Sequence, residues 1–107
     1  MIYVASPYHH SDPDVMEKRY RDVRDYVGQL FESDFPAYSP ICHCHPIAEE
    51  FSLPTDWDFW AQMDERILSV CTVVHVLTLD GWEDSQGIKA ELAIAGKMGL
   101  PVIYIEA

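Results

Sequence analysis

The chain has 107 residues, 49% of them apolar and 12% aromatic, which suits one compact domain spanning residues 1–107 and excludes a disordered chain or two separate cores. Its formal net charge is −11 with only seven Lys and Arg, which disfavours long nucleic acid as a partner because that binding draws on many cations. No apolar run approaches the roughly 20 residues needed to span a bilayer, and Met1-Ile2-Tyr3-Val4-Ala5 lacks a basic leader, so a cytoplasmic protein without membrane contact is expected.

Taken in order, residues 2–5 read as a short apolar strand. Ser11-Asp12-Pro13 then starts a helix, with proline at a tolerated early position. Met16, Tyr20, Val23, Val27, Leu30 and Phe31 recur at three- and four-residue spacing, so this helix extends to about residue 32. Ala37-Tyr38-Ser39-Pro40-Ile41 reads as a second strand ended by Pro40, and residues 42–54 read as a loop. Thr55-Asp56-Trp57-Asp58 is a capping-box pattern opening a helix whose inner stripe is Trp57, Ala61, Asp64, Leu68 and Cys71. A third strand covers residues 72–79 and a third helix residues 85–98, with Gly99 as a left-handed cap and Pro101 as a stop. Val102-Ile103-Tyr104-Ile105 closes the sheet.

The alternation β, α, β, α, β, α, β predicts a three-layer α/β/α domain, flavodoxin- or Rossmann-like, with a four-stranded parallel sheet and right-handed crossovers. Ligands of such folds lie beyond the carboxyl ends of the strands, where the strand order reverses. The segments Ser6–His10, Cys42–Pro54 and Asp80–Ser85 converge there, bringing four of the five histidines together with Trp82 and Ser85.

Glu91 shares the inward helix face of Ile88 and Ala95, where an acid is costly unless it is paired or used. The nearby helix N-terminus suggests an ionised carboxylate, suited to a nucleophile. Asp64 lies in an apolar stripe, either capping a neighbouring loop or acting in the site. Tyr3 on the first strand reads first as a core aromatic. Ser85 is the expected N-cap, and with the free amides near Gly87 it also cradles an anion. Trp82 reads either as a packing residue of its loop or as a platform for a base or sugar, a role that Tyr8 would fill in its place.

Cys42-His43-Cys44-His45 invites a metal reading, but four ligands in four residues cannot readily surround one tetrahedral ion, so no metal is expected. In an extended segment the two histidines would share a side, and one of them would line the site. Three cysteines, an odd number, argue for reduced thiols rather than a disulfide framework. Neither a Walker loop nor a Gly-x-Gly-x-x-Gly run is present, and no cofactor is expected.

Three stretches carry a resemblance to the nucleoside 2-deoxyribosyltransferase-like superfamily, particularly its deoxynucleoside 5′-monophosphate N-glycosidases. Ile2-Tyr3-Val4-Ala5-Ser6-Pro7 resembles the family's opening strand, Met63-Asp64-Glu65-Arg66 with Leu68 its acidic stretch, and Ser85-Gln86-Gly87-Ile88-Lys89-Ala90-Glu91 its Ser/Asp-x-Gly-x-x-x-Glu motif. The resemblance implies that Glu91 is a nucleophile, Tyr3 its hydrogen-bond partner, and Ser85 a sugar or phosphate ligand. It also implies that His43 or His45 supplies the histidine that follows the second strand, and that the protein is a homodimer or larger. The family's aspartate at the start of the third strand is replaced here by Cys71-Thr72, which leaves Asp64 as the substitute. The expected activity is cleavage or transfer of an N-glycosidic bond in a small nucleoside or nucleotide through a glycosyl-Glu91 intermediate. The alternative is a binding module for nucleotides or nucleotide-sugars that has lost the chemistry.

Overall fold

The computed structural model describes residues 1–107. Its strands are β1 (Ile2–Ala5), β2 (Ala37–Tyr38), β3 (Val73–Leu77) and β4 (Val102–Ile105). The helices are α1 (Pro13–Glu32), α2 (Pro40–Phe51), α3 (Trp57–Leu68) and α4 (Gln86–Met98), and a 3₁₀ turn at Trp82–Asp84 precedes α4. The sheet order is β2-β1-β3-β4, and every pairing is parallel.

Side-chain alternation along the strands divides the core in two. Tyr3, Ala5, Val74 and Val76 project to the face covered by Leu68 of α3 and by Ile88 and Ala95 of α4. Val4 and Leu77 project to the opposite face, against Val23 and Val27 of α1 and Ile41 of α2. Each such aliphatic side chain contributes about 2 kcal/mol by leaving water. The expected three-layer α/β architecture is therefore the observed one. No helix is long and apolar enough to cross a membrane.

Local signals account for the helix ends. Asp12 caps α1 by accepting from the Asp14 amide, and Ser85 Oγ caps α4 by accepting from the Ile88 amide at 3.2 Å. Gly99 closes α4 at φ 71°, with the Leu100 amide donating to the Ala95 carbonyl.

Two expectations are corrected. Residues 42–54, read as a loop, are mostly the helix α2, so β2 stops at Tyr38 rather than running to Ile41. Pro40 starts a helix here as well as ending a strand: Ser39 Oγ accepts from the Cys42 amide, and proline occupies the first turn. Ile41, Cys44, His45 and Ala48 then form a buried stripe of helical period that outweighs the backbone bond lost at Pro46. The capping box at Thr55–Asp58 does not form. Asp56 occupies the N-cap position without a side-chain bond, and Thr55 instead bonds His9.

Candidate active site

The sheet order reverses between β1 and β3, and the loops following these two strands diverge there, opening the crevice at which doubly wound folds bind ligands. A cavity of about 660 Å³ occupies it. Ser6 and Tyr8 come from the loop after β1, Cys44 from α2, Asp64 from α3, and Ser85, Gly87 and Glu91 from the start of α4. Arg19 on α1 braces this end of the sheet, donating to the carbonyls of Tyr8 and His9 and to that of Asp80.

Glu91 lies on the cavity wall, 3% exposed, and accepts a hydrogen bond from the Tyr3 hydroxyl. Tyr3 itself is fully buried behind the wall. Burial pushes the Glu91 carboxyl up to about 8, the Tyr3 hydrogen bond opposes that rise, and the nearby Asp64 adds to it. The expectation of an ionised Glu91 is thereby corrected. Desolvation outweighs the helix dipole, which acts over little more than the first turn. The Tyr3 hydroxyl is driven far above its ordinary value by burial and by the two carboxylates, so it remains a donor.

Asp64, 4% exposed, is the second acid of the wall, and burial raises it to about 7. Its Oδ1 and the Oγ of Ser6 are buried without hydrogen-bond partners. Leaving a buried polar atom unpaired costs on the order of 1–3 kcal/mol. Both residues line the same cavity, so a polar group entering it meets two unpaired partners.

Gly87 lies beside the carboxylate: a Cβ there would stand in ordinary contact, 3.8 Å from Ser85 Oγ and 4.0 Å from both Glu91 Oε1 and the Trp57 ring. Trp57 and Trp60 supply the aromatic wall. Spacing indicated only a helix stripe for Trp57, and nothing distinguished Trp60; the Trp60 indole is held by donating to the Pro54 carbonyl at 2.9 Å.

Three residues expected at the site lie elsewhere. The 3₁₀ turn directs Trp82 away from the cavity, where it packs on the core and against Tyr104. His43 and His45 are not on one side, because α2 is a helix and residues two apart diverge around it. His43 is exposed beside Tyr38, whereas His45 is buried and bonds the Tyr8 hydroxyl at 2.6 Å, one residue removed from the cavity. His9 is exposed and also lines the cavity, bonded to Thr55 at 2.7 Å.

Fold and site together define a flavodoxin-like α/β domain with two buried carboxyl groups on the wall of its switch-point cavity. The chain belongs to the family described as "Domain of unknown function (DUF1937)", whose model it matches over residues 1–107. No curated protein matches it.

Proposed function

We propose that this chain cleaves the N-glycosidic bond of a small nucleoside or nucleoside 5′-monophosphate, with Glu91 as nucleophile and Asp64 as proton donor to the leaving base. The observation that carries this reading is the buried Glu91 carboxyl, held by the Tyr3 hydroxyl at an accessible cavity wall that also presents Asp64. Its resemblance to the deoxyribosyltransferase-like motif, noted from the sequence, gives the reaction class.

The reactive form of the pair is the less populated one, with Glu91 ionised and the shared proton on Asp64. In the first step the Glu91 carboxylate attacks the anomeric carbon, the carbon–nitrogen bond breaks, and its electron pair leaves with the base, which takes the Asp64 proton. In the second, water or another base attacks the same carbon, giving up its proton to Asp64 and releasing Glu91. Two displacements retain configuration. Trp57 and Trp60 stack the base, and Ser85 with the α4 amides receives the 5′ side of the sugar. Lys89 is the one Lys or Arg among the lining residues, against Asp56, Asp58 and Asp84 in addition to Asp64 and Glu91. That balance favours an uncharged nucleoside over its phosphate.

Incubation with a panel of nucleosides and their 5′-monophosphates, followed by chromatography of the free base, tests the reaction. Release of base with transient labelling of Glu91 is expected. Saturable binding without release across the whole panel would show a binding module instead.

Tyr3→Phe is expected to move the pH optimum upward. The Tyr3 hydrogen bond is the one influence that lowers the Glu91 carboxyl, so its loss lets burial raise it further. The pH dependence of kcat/KM measures this, and an unshifted acidic limb would remove Glu91 as the group that must ionise.

A further inference from the structure

Beyond the cavity, a separate cluster joins α1 to α2. His45 Nε2 lies 2.7 Å from a Glu17 carboxylate oxygen and 3.0 Å from one of Glu49. The three ligand atoms all lie within 4.8 Å of one another. His45 and Glu49 are four residues apart on α2 and therefore share a helix face, while Glu17 reaches across from α1.

We infer that Glu17, His45 and Glu49 form a binding site for a divalent transition metal of the zinc class. One imidazole and two carboxylates are a borderline donor set suited to such an ion, and they neutralise its charge. A tetrahedral ion with bonds of about 2.0–2.1 Å holds its ligand atoms about 3.3 Å apart. The two separations from His45 Nε2, 2.7 and 3.0 Å, reach that value by opening about half an ångström or less. The Glu17 and Glu49 side chains, 41% and 69% exposed, are free to make that adjustment.

The His45 ring is already oriented for the task. It is 6% exposed, stacks on Tyr20 with centroids 4.5 Å apart, and has its Nδ1 against the Tyr8 hydroxyl. With Nδ1 protonated and donating to the Tyr8 oxygen, the Nε2 lone pair points between the two carboxylates. This is the outer-shell arrangement that holds metal-bound histidines in one tautomer. The exposed side leaves a fourth position for water. The ion would clamp α1 to α2 and, through Tyr8, steady one wall of the cavity without taking part in its chemistry.

The test is calorimetric titration of the chelator-treated full chain with zinc chloride, repeated on Glu17→Gln and Glu49→Gln. These exposed positions leave folding intact if the buried His45 proves intolerant of change. One zinc per chain is expected, with affinity about tenfold weaker or more in each glutamate variant. Cobalt in place of zinc is expected to show d–d absorption without a thiolate charge-transfer band. No saturable binding would overturn the assignment and leave the cluster a plain ion pair. So would binding unmoved by both variants, or a thiolate band, which would place the ion on Cys42 or Cys44.

Discussion

Glu91→Gln is expected to abolish base release, by at least about a thousandfold in kcat, without destabilising the protein. The amide is isosteric with the carboxyl and retains an oxygen to accept from Tyr3, but it cannot form a glycosyl ester. Stability is the more diagnostic half of the experiment. The Glu91 carboxyl rises from 4.5 to about 8 on folding, and that of Asp64 from 3.8 to about 7. Below about pH 3 both are protonated in the folded and the unfolded chain, and neither opposes folding. Between about pH 4 and 8 the unfolded chain releases these protons first, so folding stability falls as pH rises and levels off above the folded values. Glu91→Gln deletes one of the two contributions. Its advantage over the native chain should be small at pH 5 and largest at pH 8.5 in urea unfolding. Full activity in this variant would end the nucleophile assignment; a loss of stability at pH 8.5 would mean that the buried carboxylate is favourably paired after all.

Asp64→Asn is expected to lower kcat on ordinary nucleosides by about a hundredfold to a thousandfold, the range general acids supply. The loss should largely vanish with a 2-deoxyriboside whose leaving group departs without protonation, such as nitrophenolate. The same variant should lose the alkaline limb of the native pH profile. Glu91 and Asp64 influence one another, so near pH 7–8 the pair holds one proton between them, and the productive form carries it on Asp64. A bell-shaped profile centred there follows for the native chain. Equal losses on both kinds of substrate would make Asp64 a binding residue rather than a proton donor.

How much of this was legible depended on whether the information was local. The α4 segment was readable because a serine cap, a small-residue face and one misplaced acid all lie within a few turns. Its partnership with Tyr3 was not a matter of period or composition; it came through the resemblance. The helix α2 is not legible because Ser39-Pro40 serves equally as the end of a strand and the start of a helix, and the inner proline conceals the buried stripe. Trp82 and Trp57 are chemically equivalent. Only the 3₁₀ turn and the placement of α3 decide which indole meets the cavity. The partners of His45 are not its immediate neighbours in the chain. Glu17 lies on a different helix, brought close by packing that no spacing rule encodes.

The order β2-β1-β3-β4 also has a consequence for how the chain folds. Tyr3 lies in the middle of the sheet, and its hydroxyl meets a carboxylate 88 positions further on. Contacts of such long range form late, because the intervening chain must first surrender its freedom. A nascent chain therefore carries Glu91 as a solvated and ordinary acid until α4 docks. No fragment lacking either β1 or α4 contains the pair at all, so the bonded, buried carboxyl exists only in the completed fold.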